Sequence, residues 1–450
     1  MKNSSPSKNG KLWVIFLTIF IDLIGFSIIF PLFPSMLEYY LPKEGPDSNF
    51  GYLIAIIEGL SRKSGADTKF LTTVLFGGII GSIYSLLQFI FSPILGHLSD
   101  RFGRRPILIF TIAGTTLSYL LWVFASSFNL LVFARIFGGI MGGNLAVATA
   151  AVADVTSDKE RSKGMALVGV AFGLGFIIGP VIGGLSSLFD LTLIKPSWEG
   201  SGINPFSIPA LFAFTLSLIN LFWVIGKLPE TFSPPSKVKE KTAQCNSGRL
   251  RTLFSIKNSN VRLVMIIYFI FIMAFSGLEF TITFLALERL DYGPPDNTKI
   301  FLFIGLVLIG VQGGLVRNLA SRLGEKKLVM AGMVFGLIAF VCLAQASHWP
   351  LFYFGLGLLG FSVGFASPTL SALASLYSPK NDQGRNLGAF RSAGSLARAV
   401  GPLFFAFLYW YSGSNLAYIT GAVILILPLV MGLGLIPPNN QTEASQETAH

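Results

Sequence analysis

Long apolar runs alternate with short polar connections along the whole chain. A helix needs about 20 apolar residues to cross hydrocarbon. On that measure the pattern predicts twelve spans, at 12–37, 72–95, 106–126, 128–152, 165–188, 207–226, 261–287, 300–319, 328–346, 350–375, 386–411 and 415–436. Two longer polar stretches interrupt the rhythm. Residues 38–71 carry Pro42, Gly45 and Pro46, and residues 229–258 form a Lys-rich linker with Pro234 and Pro235. The linker separates six spans from six, the layout of a duplicated transporter. The expected organisation is a tail (1–11), a first six-helix unit (12–228), the linker (229–258), a second six-helix unit (259–436) and a second tail (437–450).

Composition supports a membrane reading. Of 450 residues, 52% are hydrophobic and 12% charged, whereas soluble domains carry about 25% charged residues. The 42 Phe and 48 Gly suit lipid contact and close helix approach. The apolar run after Gly10 is too long for a signal sequence and reads as a first transmembrane helix.

The formal net charge of +11 would suggest nucleic acid in a soluble protein. Here the basic residues sit in the connections, so they report topology and no nucleic-acid partner is expected. With both termini on the cytoplasmic side, 23 Lys and Arg fall inside, 7 outside, and Arg135, Arg391 and Arg398 fall within spans. The positive-inside rule therefore places both termini in the cytoplasm, with a cell membrane as the expected location. Cys245 lies in the linker and Cys342 in a span, which gives no disulfide framework. The three His are far apart and no P-loop pattern is present, so neither metal, cofactor nor enzymatic activity is expected.

The two halves echo each other. Asp100-Arg101-Phe102-Gly103-Arg104-Arg105 follows the second span, and Ser321-Arg322-Leu323-Gly324-Glu325-Lys326-Lys327 follows the eighth. Gly179-Pro180 in the fifth span has a partner in Gly401-Pro402 of the eleventh. The offsets are 221 and 222 residues, which points to an internal repeat.

Between the second and third spans, Gly96 permits close helix approach, Gly103 suits a turn without Cβ strain, and Asp100 can pair with a cation. Arg101, Arg104 and Arg105 sit where headgroups would be. This stretch reads either as a basic topology anchor or as a charged latch that breaks and reforms as the halves rock.

The stretch from Gly96 to Pro106 resembles the loop signature of the major facilitator superfamily. Asp22, Gly25, Pro31 and Pro34 resemble the first-helix signature of its drug/proton antiporter branch. Arg135, Gly139 and Gly142 resemble that branch's membrane arginine motif, and Gly173, Gly175, Gly179, Pro180, Gly183 and Gly184 its antiporter motif. Ala153-Asp154, Glu160-Arg161 and Leu228-Pro229-Glu230-Thr231 are similar to tetracycline-efflux-like members. The second half, through Ser276 to Thr281, Phe303 to Leu306, Gln312-Gly313 and Arg391 to Pro402, looks like the animal tetracycline-transporter-like (TETRAN) proteins. The resemblance covers residues 12–436. It implies an all-α integral membrane fold of two pseudo-symmetric six-helix bundles, alternating access, and transport of organic anions or amphipathic drugs. Ser321 and Arg317 stand where the first half has Asp100 and Gly96, so a latch in the second half would be built differently.

Ionisable groups at membrane depth are costly and mark function by default. Asp22 lies ten residues past Leu12, about 15 Å along a helix, where its charge is poorly solvated. That suits a proton carrier, and equally a structural Asp paired with a neighbouring helix. Glu279 is a second candidate for proton coupling or gating. Arg391 and Arg398, two turns apart on one face, each need an anion, supplied by the substrate or by an internal acid. Arg135 near a helix end either relays protons or snorkels to the headgroups. Pro180 and its glycines serve as a hinge or as a packing surface. Gln88, Asn144, Asn220 and Gln312 complete the expected polar lining, with a small molecule, protons and the lipid bilayer as partners. A monomer suffices for such a cycle.

Overall fold

The computed structural model describes residues 8–45, 48–60, 66–156, 161–231, 258–379 and 383–435. Among them every regular element is a helix. That follows from the solvent, because in hydrocarbon a helix satisfies its own backbone polar groups. Residues 1–7, the linker's Lys-rich part, 232–257, and residues 436–450 lie outside the described residues, as do Pro46 and Glu160; the last four residues of the expected first tail open the first helix.

The first six long helices are α1 (Lys8–Ser27), α2 (Ala66–Phe102), α3 (Arg104–Val123), α4 (Phe128–Met141, resumed as Asn144–Val155), α5 (Arg161–Ser186) and α6 (Ser207–Lys227). The next six are α7 (Ser259–Leu290), α8 (Pro294–Gly310), α9 (Glu325–Gln345), α10 (Trp349–Leu376), α11 (Gln383–Ser412) and α12 (Ser414–Leu433). Each begins within a few residues of an expected span. Eleven are long and apolar enough to cross a membrane. The exception is α11, whose apolar run is broken by Arg391, Ser392, Ser395 and Arg398. It packs between α2 and α7, so its polar stripe faces protein and not lipid.

Several helices are longer or less regular than the apolar pattern suggests. Past Ser27 the chain turns through Phe30–Leu32 and continues as a helix over Phe33–Tyr40. The expected connection at 38–71 contains a further apolar helix, Asn49–Leu60, too short to register as a span. Beyond Gly310, α8 widens into a π-helical turn, Val311–Val316, before resuming over Arg317–Leu323. Large apolar side chains such as Phe110, Phe133, Phe222 and Val430 are exposed. Their number fits a lipid-facing surface.

The packing repeats. In the first six helices α1 packs on α5 and α6, and in the second six α7 packs on α11 and α12. The repeat extends to atoms. Ser27 Oγ donates to the Gly175 carbonyl at 3.0 Å, and Ser276 Oγ donates to the Ala397 carbonyl at 3.3 Å. Four residues further on, a Cβ at Gly179 would lie 2.0 Å from Ser27 Oγ, and one at Gly401 would lie 2.2 Å from Ser276 Oγ. Glycine is what brings each helix pair into contact.

The two sets of six meet along α2 with α11 and α5 with α8. Toward the end that carries the α1–α2 connection, Phe33 meets Phe280 at 5.5 Å between ring centres, and Phe70 meets Phe284 at 6.5 Å and Tyr409 at 6.4 Å. Asn297 Nδ2 donates to the Pro31 carbonyl at 3.2 Å across the same seam. These contacts close that end of the interface.

Candidate functional site

Below the aromatic seam lies a cavity between the two sets of helices. Its polar lining comes from Asp22 on α1, Gln88 on α2, Arg135 on α4, Glu279 on α7 and Arg398 on α11. Phe26, Phe30, Phe172, Phe176 and Phe280 supply its apolar walls. Five residues singled out by chemistry in the sequence thus share one space.

Each polar group has a defined setting. Asp22 Oδ1 accepts from Asn144 Nδ2 at 2.9 Å. Asn144 is the first residue after the Gly142-Gly143 break in α4, and that break places its amide behind Asp22. Gln88 Nε2 donates to the Gly142 carbonyl at 2.7 Å, bracing the same break from α2. Across the cavity Arg398 Nη1 lies 3.6 Å from Glu279 Oε2. The Arg398 guanidinium also stands 4.5 Å from the Phe176 ring centre and 6.0 Å from that of Phe172. Cation–π contact of this kind strengthens when water is excluded.

Arg135 does not snorkel. It is buried at 4% exposure, with its guanidinium 4.4 Å from the Tyr84 ring centre. The cause is glycine. A Cβ at Gly139 would lie 2.8 Å from the Tyr84 carbonyl oxygen, and one at Gly138 would lie 2.8 Å from Ser118 Oγ. Without those atoms α2 and α3 close over α4 and roof the arginine.

Four expected lining residues fall elsewhere; Asn144 is buried behind Asp22 and does not reach the cavity wall. Asn220 is buried between α6 and α1, where Nδ2 donates to the Thr18 carbonyl at 3.2 Å. Gln312 lies exposed in the π-helical turn of α8. Arg391 is half-buried beside Gly169 on α5, two turns from Arg398 and outside the cavity wall. A shared helix face did not ensure a shared cavity, since two turns are about 10 Å. Sequence reasoning passed over the phenylalanine walls, Tyr84 and Ser85, because 42 Phe and 12 Tyr offer no contrast by which to choose among them.

The loop between α2 and α3 is built as a knot of charges. Arg104 pairs with Asp100 at 2.6 Å and with Asp154 of α4 at 2.9 Å, and its Nη1 donates to Ser99 Oγ at 2.6 Å. Gly103 takes a φ of 99°, which favours glycine. Glu230, just past α6, accepts from the backbone N–H of Arg104 at 2.9 Å and of Arg105 at 3.2 Å. It thus caps the start of α3. Arg105 Nη2 donates to the Ile225 carbonyl at 2.7 Å, while Arg101 is exposed beside Phe102. Gly96 lies one turn before Asp100 in α2. On α5, Gly175 and Gly183 pack against α1 as Gly179 does: a Cβ would lie 2.6 Å from Leu23 Cβ and 2.0 Å from the Ile28 carbonyl oxygen, respectively. Pro180 sits inside α5.

A repeated helical scaffold of membrane-spanning length that holds paired charges in a cavity between its halves is the architecture of a secondary transporter. The chain belongs to the major facilitator superfamily, whose family model matches residues 15–320 and 315–450. It is an integral, multi-pass membrane protein of that transporter fold. It is 33% identical to major facilitator superfamily domain-containing protein 10 of Bos taurus, over 96% of this chain and 94% of that one. It is 31% identical to the class B tetracycline resistance protein of Escherichia coli, over 87% and 86% of the two chains. Among solved structures, the human organic anion transporter MFSD10 (TETRAN) superposes with a TM-score of 0.73 at 30% identity, covering 95% of this chain and 100% of that one. These relatives are transporters and not enzymes.

Proposed function

We propose that the protein is a proton-coupled antiporter of organic anions or amphipathic drugs, working by alternating access of two six-helix bundles, 12–228 and 259–436, joined by the 229–258 linker. The observation that carries this reading is the cavity itself: two carboxylates, Asp22 and Glu279, and two arginines, Arg135 and Arg398, line one space walled by phenylalanine. Carboxylates in such a site can exchange protons. The arginines offer sites for an anion, and the rings fit an apolar body. The likeness to a human organic anion transporter and to tetracycline resistance proteins supports the substrate classes.

The orientation we favour has both termini in the cytoplasm of a cell that carries the protein in its plasma or inner membrane. The aromatic seam of Phe33, Phe70, Phe280 and Phe284 then closes the outer end. The Asp100–Arg105 knot is a cytoplasmic latch, and the protein works as a monomer. A second reading, symport, applies to an anionic substrate that enters the cavity together with a proton on Asp22, because opposite charges in one low-dielectric site reinforce each other's binding.

The test is uptake of a labelled organic anion, and separately of a tetracycline, into proteoliposomes under a pH gradient of either sign. We expect the gradient to drive accumulation, and Asp22→Asn to abolish that while preserving exchange. A wild type indifferent to the gradient for both probes would leave an uncoupled facilitator.

A further inference from the structure

Of the two arginines in the cavity, only one is matched by a carboxylate. Arg398 faces Glu279 at 3.6 Å. Arg135 has no carboxylate within ion-pair distance and no hydrogen-bond acceptor among the described residues. Its Nε is fully buried and unsatisfied, although the side chain lines the cavity. Arginine keeps its charge when buried, and a buried, unpaired cation is expensive. Among the described residues Asp22 forms no ion pair with it, and its Oδ1 accepts from Asn144 at 2.9 Å instead.

A second buried group close by has the same deficiency. The Tyr119 hydroxyl, within electrostatic reach of Arg135, is buried and has no hydrogen-bond partner. Both groups can donate, and neither has an acceptor. Tyr84 offers Arg135 its ring face, which attracts the cation but accepts no N–H bond in the guanidinium plane.

We propose that Arg135 is the substrate's anion anchor. It takes the carboxylate or other single anionic group of an amphipathic substrate, whose apolar body lies against Phe26, Phe30 and Phe176. This rests on the reading that organic anions are carried, and it assigns the charge recognition to Arg135 and not to Arg398 or Arg391. Arg398, compensated by Glu279 and stacked on Phe176, positions the cavity's far wall. The fork geometry of guanidinium suits a carboxylate held by two hydrogen bonds.

The test compares a labelled phenylalkyl carboxylate with its uncharged carboxamide in equilibrium exchange, with no pH gradient, so that coupling plays no part. Arg135→Gln is expected to raise KM for the carboxylate by about tenfold or more, the scale of a charge-assisted hydrogen bond, and to leave the carboxamide within about twofold. Arg135→Lys should recover part of the loss. In the wild-type protein in detergent, the carboxylate should raise the unfolding temperature more than the carboxamide does, a reading that needs no variant to fold. Equal losses for the two probes in Arg135→Gln, or equal stabilisation of the wild type by both, would make Arg135 structural and overturn the anchor alone. Failure of the wild type to exchange the carboxylate at all would overturn the proposed anionic substrate class together with the anchor.

Discussion

Arg398 of α11 bridges two partners at once: Nη1 lies 3.6 Å from Glu279 Oε2 on α7, and the guanidinium stands 4.5 Å from the Phe176 ring centre on α5. The first contact joins helices of one half, and the second spans the cavity. Removing one member of a buried ion pair leaves the other uncompensated, at a cost of about 3–5 kcal/mol when burial is complete. Here Arg398 is 25% and Glu279 12% exposed, so solvent lowers the cost to about 1–3 kcal/mol. We expect Glu279→Gln and Arg398→Gln each to lower the unfolding temperature in detergent. The double variant should be less destabilised than the two singles added together. Strict additivity would show that the pair is not coupled.

The matched serine and glycine contacts on α1–α5 and α7–α11 yield a prediction in duplicate. A methyl group at Gly179 would overlap Ser27 Oγ and approach the Ile24 carbonyl oxygen to 2.6 Å, while one at Gly401 would overlap Ser276 Oγ and approach the Met273 carbonyl oxygen to 2.4 Å. Backbone atoms cannot step aside as a flexible side chain can, so each helix pair must part. Overpacking of this kind costs about 1–3 kcal/mol. Gly179→Ala and Gly401→Ala should therefore both reduce folded yield and exchange rate, by comparable amounts. Ser27→Ala, which removes only a side-chain hydrogen bond, should be milder. A silent Gly401→Ala beside a damaging Gly179→Ala would show that the two halves tolerate separation differently.

How much of this was legible in the sequence depended on the length scale of the signal. Helix positions followed from runs of about 20 apolar residues, which bilayer thickness imposes on any spanning helix. The exception is instructive: α11 was expected at 386–411 from its apolar run and echoes α5 through Gly401-Pro402, although it falls short of the apolar length that the other eleven reach. Asp22, Arg135, Glu279 and Arg398 stood out because charge is rare in spans. Their grouping could not be read, since it depends on how helices distant in sequence pack. The same limit misplaced Asn220 and Arg391. Of the two alternatives for Arg135, snorkelling failed because distance from a helix end says nothing about the roof that Gly138 and Gly139 admit.

The turn at Gly103 should be separable from transport energetics. Glu230 binds the first two backbone N–H groups of α3 from across the sequence, at 2.9 and 3.2 Å. Loss of a cap costs about 0.5–2 kcal/mol. Glu230→Ala should lower the unfolding temperature, while Glu230→Gln, which keeps one acceptor, should lose less. Gly103→Ala should be at least as harmful, because its φ of 99° is strained for any residue with a Cβ. Thermal unfolding of the detergent-purified protein checks all three. Equal stability of Glu230→Ala and wild type would make the contact incidental.

Under the symport reading the sign of coupling follows the charge of the cargo, and this separates it from the antiport we propose. With both carboxylates ionised, Asp22 and Glu279 balance Arg135 and Arg398 within the cavity. A monoanion upsets that balance by one negative charge, and a proton on Asp22 restores it. In a low-dielectric site the two binding events reinforce each other, so anion and proton occupy the same state and travel together. An organic cation has the opposite effect: it is stabilised by an ionised Asp22 and displaces the proton. On that reading acid outside the vesicle accelerates uptake of an aromatic carboxylate and acid inside accelerates uptake of an amphipathic amine, whereas antiport requires acid inside to accelerate uptake of both. In Asp22→Asn the side chain is fixed in a neutral form, so neither probe should respond to the gradient while exchange of the carboxylate continues. A trapped pH dye would read the accompanying proton flux directly, inward with the anion and outward against the amine. Accumulation of the carboxylate driven by acid inside would instead be the antiport outcome, in which proton and anion alternate, and would overturn the symport reading.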